Sequence, residues 1–160
     1  MSTSTAPTPY EKALAYLTIL LTLMALAAVA KGYAEWAKIP PAIWLHFGSL
    51  LVALVLTPVL LLRRRGDGLH RQLGRIWAIA MMVTALASLR VRVINPGHFS
   101  PIHLLSVLVI VSVPLLVWRA RKHQVAAHRR SIRGIVTGGI IVAGFLTFPF
   151  GRLLGHWLFG

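Results

Sequence analysis

The sequence predicts an all-α integral membrane protein of about five transmembrane helices, with helices 2–5 forming a four-helix bundle from two tandem helical hairpins. Three observations carry this. Hydrophobic residues are 57% of the 160 residues and the mean hydropathy is +0.75, more apolar than a soluble domain of that length can hide from water. The apolar residues fall into five runs close to the roughly 17 to 25 residues a helix needs to cross ~30 Å of hydrocarbon. Basic residues collect in alternate connections between those runs.

Taken in order, residues 1–12 form a short polar tail rich in Ser, Thr and Pro. With no basic segment before the first apolar run and no small-residue cleavage site after it, that run reads as a retained helix, not a signal peptide. The first span is 13–30. The second, 41–62, opens on Pro40 and Pro41, suited to a first helical turn, and stops at Arg63, Arg64 and Arg65. The third, 73–89, is weaker: Arg75 lies in its first turn, and Arg90 and Arg92 follow closely. The fourth, 101–118, has Ser100 as N-cap ahead of Pro101. The fifth, 132–150, carries Arg133 near its start and has room to continue to Phe159. The whole chain, 1–160, reads as one membrane domain.

Charge sets the orientation. There are 17 Lys and Arg against three acids, Glu11, Glu35 and Asp67. Arg63, Arg64, Arg65, Arg71 and Arg75 lie in one connection, and Arg119, Arg121, Lys122, Arg129, Arg130 and Arg133 in another on the same side. The opposite connections hold only Lys31 and Lys38, then Arg90 and Arg92. The excess of cations on one side puts the N-terminus in the cytoplasm and the C-terminus outside. Cations confined to span borders point to a bilayer with anionic lipids as the partner, and not to nucleic acid. Trp36, Trp44, Trp118 and Trp157 fall near the predicted interfaces, with Trp77 a little deeper.

An internal duplication is legible. His46-x-x-Ser49-x-Leu51-Val52 repeats as His103-x-x-Ser106-x-Leu108-Val109, followed by Pro58 and Pro114. His70-Arg71-x-x-x-Arg75 repeats as His128-Arg129-x-x-x-Arg133, and Gly97-His98-Phe99 as Gly155-His156-Trp157. In both copies 28 residues separate the second histidine from the third. Two such hairpins would be related by an axis along the membrane normal, with the first helix packed outside the bundle.

That symmetry would set His46 opposite His103 on the outer side and His70 opposite His128 on the cytoplasmic side. Facing imidazoles suit axial ligation of a haem iron, and helix bundles build cofactor sites from facing side chains. The two levels are separated by about 24 Å of helix. Arg90, Arg92 and Arg152 outside, and Arg71 and Arg129 inside, are the candidates for haem propionates or other anions. An inner site stays dry only if Arg75 and Arg133 turn into the bundle, which favours the outer pair. The other ligand set is a transition-metal site of His46, His98, His103 and His156. The ordinary reading is that histidines near helix ends are interfacial residues with no cofactor.

Other features are structural in the first instance. Gly134-x-x-x-Gly138 and Gly151-x-x-x-Gly155 suit close helix packing, Pro58 and Pro114 suit kinks, and Ser49 and Ser106 suit bonds to a histidine or to their own helix. Absent cysteines exclude disulfides, thiol catalysis and thiolate-held iron–sulfur clusters. No span holds a carboxylate, which argues against a carboxylate proton relay or cation transporter. No phosphate-binding loop or hydrolase motif is present.

Phe99-Ser100-Pro101-Ile102-His103-Leu104-Leu105-Ser106, His128-Arg129-Arg130-Ser131, Gly138-Gly139 through Ala143-Gly144, Phe150-Gly151-Arg152-Leu153-Leu154 and His70-Arg71-x-x-Gly74-Arg75 resemble the bacterial predicted membrane protein family catalogued as domain of unknown function 2306. The resemblance covers about residues 42–159 and departs at Phe150, where Pro is expected. It implies a helical protein of the bacterial inner membrane and no particular activity. The pairing of His46 with His103 and His70 with His128 is similar in arrangement to cytochrome b561-type membrane proteins, with different histidine spacing; that is an analogy of architecture. The leading functional expectation is therefore a His-ligated haem b or metal-binding electron-transfer protein exchanging electrons with a redox or membrane-complex partner. The alternative is a non-catalytic membrane scaffold or assembly factor with no cofactor.

Overall fold

The computed structural model describes residues 6–90, 103–149 and 151–160. Among them every regular element is helical. Helix α1 (Pro9–Lys31) starts earlier than the polar tail suggested. Thr8 caps it, Pro9 fills its first position, and Glu11 returns a bond from its carboxylate to the Thr8 N–H at 2.8 Å, a reciprocal capping box. A 3₁₀ segment (Tyr33–Lys38) leads to α2 (Pro41–Leu62), which keeps Pro58 inside it. Gly66, at φ +83, takes the left-handed turn that few side chains tolerate. Asp67 then caps α3 (Gly68–Ser88) by accepting the His70 N–H at 2.6 Å. Helix α4 runs His103–Arg121; its expected start at Ser100 and Pro101 lies outside the described residues.

The fifth stretch is not a plain α-helix. It begins as α5 (Val125–Ile135), widens into a π-helix over Val136–Val142 and ends as α6 (Ala143–Phe145). It does not continue to Phe159: the chain turns, and a separate short helix α7 (Leu153–Phe159) follows. Among the described residues three helices, α1, α2 and α4, are long and apolar enough to cross a membrane, with mean hydropathies of 2.3, 2.3 and 1.9 over 18 residues.

The placement of α1 corrects the expectation of a first helix outside a four-helix bundle. Helix α1 packs on α2 along one flank and on the π segment and α7 along the other, while α2–α3, α3–α4 and α4–α5 are successive neighbours. The five long stretches thus close a ring with α1 as a full member. The reason lies in its side chains. The buried stripe of α1 is Glu11, Leu14, Ala15, Thr18, Leu21, Ala25 and Ala28, spaced to fall on one face. Ala15, Thr18 and Ala28 are 0% exposed, and small residues allow close backbone approach. The larger Leu17, Leu20, Leu23 and Leu26 point outward. That arrangement, small inside and leucine outside, is suited to a lipid surround rather than water.

Candidate functional site

Five helical stretches and α7 surround a cleft of about 840 Å³, within the size range of cofactor sites. Its walls are apolar side chains such as Leu50, Leu54, Met81 and Val109, and its polar groups include His46, Thr84, Ser88, His103, Ser106 and Arg152. The sequence-predicted outer pair, His46 on α2 and His103 on α4, therefore lines one space. His103 is 6% exposed.

The repeated His-x-x-Ser motif explains how the helices come together there. His46 Nδ1 lies 2.9 Å from the Thr84 carbonyl of α3. A carbonyl can only accept, so Nδ1 carries the proton and Nε2 keeps its lone pair. One helical turn on, Ser49 bonds the Thr84 hydroxyl at 2.8 Å. On the other side Ser106 bonds Ser88, one turn beyond Thr84 on the same helix. Both copies of the motif thus dock on α3, a departure from strict two-fold symmetry. Thr84 itself anchors to the Ala80 carbonyl at 2.8 Å, fixing its hydroxyl.

The π segment and α7 shape the rest. A β-carbon on Gly139 would lie 2.8 Å from Val109, and one on Gly144 2.3 Å from Leu21. These glycines let the fifth stretch approach α4 and α1, whereas Gly134 has nothing within 4 Å and Gly138 only Leu108 at 3.8 Å. Helix α7 lines the cleft through Leu153, Leu154 and Trp157. Trp157, expected at a lipid interface, is instead 7% exposed and donates its indole N–H to Glu35 at 2.7 Å. Lys31 Nζ donates to the Leu158 carbonyl at 2.7 Å. Trp36 packs edge-on against Trp44, with ring centroids 5.5 Å apart.

The helix ends that carry the arginine clusters meet around a group that sequence reasoning missed. Glu11 is 0% exposed and holds three arginines: Arg65 at 2.7 Å, Arg129 at 2.6 Å and Arg133 at 3.1 Å. Arg129 grips it with two nitrogens, Nε at 2.6 Å and Nη2 at 2.7 Å. The anion partner of Arg129 in this structure is thus Glu11. Arg133 turns inward, as a dry inner site would need, but Arg75 is exposed. The signal was available in the Thr8-x-x-Glu11 capping pattern, which places a carboxylate in the first turn of a helix long and apolar enough to cross a membrane.

His70 and His128 also lie at this end, close enough for each charge to oppose the other. His70 belongs to the polar turn ahead of the apolar part of α3; burial, then the nearby His128, lowers its pKa. Its Nδ1 is buried with no hydrogen-bond partner among the described residues. His128 Nδ1 is 3.2 Å from the Leu116 carbonyl. Neither histidine lines the cleft. Asp67, bonded by the His70 N–H and Arg63, is held below the usual carboxylate range.

Of the remaining predicted residues, Arg71, Arg90 and His156 are exposed and do not line the cleft. Arg92 and His98 lie outside the described residues. Among the described residues no three His or acidic side chains converge as a metal-binding group. Comparison with protein families, curated proteins and solved structures finds no match for the chain.

Proposed function

We propose that the chain is a five-span protein of the bacterial inner membrane that holds one b-type haem between His46 and His103 and transfers electrons. One observation carries this reading: both histidines line a single apolar cleft of cofactor size, and His46 is already oriented through Nδ1 by a backbone carbonyl. Ligating histidines are commonly fixed in that way, which frees Nε2 for the metal. When bound, haem supplies one-electron redox chemistry. The apolar lining would exclude water around the ring, and Arg152 in the cleft lining would be placed to pair with a propionate. The cytoplasmic His70 and His128 carry no haem in this reading, because neither lines the cleft that holds His46 and His103.

The membrane placement is supported by the three apolar helices, by the leucine-rich outer face of α1, and by Arg65, Arg129 and Arg133 converging at one end. That end faces the cytoplasm. The motifs resembling the bacterial membrane family agree with this placement and add no activity.

The test is expression with haem supplied, purification in mild detergent, and a reduced-minus-oxidised spectrum of wild type, His46→Ala and His103→Ala. Wild type should show a Soret band and sharp α-band, and each variant should lose low-spin haem. A colourless wild type that co-purifies with a larger complex would instead favour a scaffold.

A further inference from the structure

A second apolar groove, about 470 Å³, runs between α3 and α4 on the surface away from the cleft. Ile79, Met82 and Leu86 form its α3 wall; Pro114, Val117 and Trp118 form its α4 wall, with Arg121 at one end. The walls are open to the surroundings: Ile79 is 65% exposed and Leu86 53%.

Two cations, Arg75 and Arg121, converge at one end of the groove. Arg75 precedes Ile79 by four residues and Met82 by seven, so it shares their face of α3. Arg121 follows Trp118 by three residues and Pro114 by seven, on the groove face of α4. Because α3 and α4 run in opposite directions, both arginines reach the cytoplasmic end, with Trp118 at the same level. Both are exposed. The three acids of the chain are engaged elsewhere: Glu11 with three arginines, Asp67 with Arg63 and Glu35 with Trp157. At the opposite end the lining is Leu86 and Val113, and Arg90 follows Leu86 by four residues, just past the end of α3. From Ile79 to Leu86 the helix rises about 10 Å, within the ~15 Å depth of one hydrocarbon leaflet.

We propose that this groove is a specific site for an anionic phospholipid of the cytoplasmic leaflet. One acyl chain lies along Ile79, Met82 and Val117, the phosphate meets Arg75 and Arg121, and Trp118 sits at the headgroup level. A second copy of the chain is the poorer occupant. A two-fold contact through this face, with both copies inserted in the same direction, would bring four arginines to one level. The proposal rests on the membrane embedding argued above and is independent of the haem.

The experiment is native mass spectrometry of purified protein after incubation in nanodiscs of equal phosphatidylglycerol and phosphatidylcholine. Wild type should retain phosphatidylglycerol preferentially. Arg75→Gln and Arg121→Gln should each cut that preference about fivefold, and the pair about 20- to 30-fold. The charge-matched pair Arg64→Gln with Arg130→Gln should leave it intact, and Ile79→Trp, which fills the groove, should abolish it with both arginines present. Equal retention of the two lipids by wild type, or equal loss in the charge-matched pair, overturns the site. Failure of the embedding itself would look different: the protein would stay monodisperse with no detergent or lipid.

Discussion

Replacing Glu11 by Gln tests the architecture most sharply. Glutamine keeps the shape and can keep the capping role at this position, so the change removes charge and little else. The carboxylate it neutralises is fully buried, whereas the arginines around it keep 20%, 19% and 33% of their side-chain surface at Arg65, Arg129 and Arg133. Stranding a partner of a buried ion pair costs about 3–5 kcal/mol. Residual exposure lets water recover part of that, so the expected loss is about 2–4 kcal/mol. For a chain of this length that corresponds to a fall in Tm of about 5–15 °C, followed by intrinsic tryptophan fluorescence in detergent. Arg129→Gln should approach the same loss, since Arg129 holds both oxygens, and Arg133→Gln should cost least, being longest and most exposed. Combining Glu11→Gln with Arg129→Gln should cost at least 1 kcal/mol less than the sum, at about the scale of coupled neighbours. A Glu11→Gln protein melting within about 1 °C of wild type would refute the claim that this carboxylate ties α1 into the ring.

The remaining predictions concern packing, ligation and pH. A methyl on Gly155 would lie 1.7 Å from the Phe148 carbonyl oxygen, so Gly155→Ala should unseat α7 and cost about 1–3 kcal/mol. Gly134→Ala, with nothing within 4 Å, should be neutral or stabilising by up to about 1 kcal/mol; calorimetry compares the two. If haem is bound as proposed, Arg152→Gln should weaken its retention during gel filtration without changing the positions of the absorption bands, since Arg152 would meet a propionate and both axial ligands would stay in place. The lowered pKa of His70 means the native state binds fewer protons than the unfolded one just below the ordinary value of 6.5. Unfolding free energy should therefore rise with pH through that window and level off above it. His70→Asn should flatten the slope in a pH series of chemical melts.

Much of the fold is legible in the sequence because bilayer length and charge are coarse signals. The second helix falls at 41–62 as predicted. The third and fifth were harder, because local chemistry modulates them: Asp67 draws the start of α3 back to Gly68, and the fifth stretch widens into a π-helix at Gly138-Gly139. The outer site was readable in part. His46 and His103 share a motif and line one cleft, but the docking of both serines on α3 depends on side-chain geometry that spacing does not encode. Glu11 was hidden for a different reason. Four residues of the N-terminal tail, 9–12, are helix, and a residue placed in that polar tail is the best-connected ionic group among the described residues. The glycine pattern was right at Gly155 and not at Gly134, Gly138 or Gly151; the other close contacts between elements fall on Gly32, Gly139 and Gly144.

The haem content of the purified chain, measured as pyridine haemochromogen per polypeptide, bears most directly on the proposed function. Ligation by His46 and His103 alone predicts one haem per chain, falling to none in the His46→Ala, His103→Ala double variant. Two haems would bring His70 and His128 into use, and none after haem-replete expression would contradict the assignment.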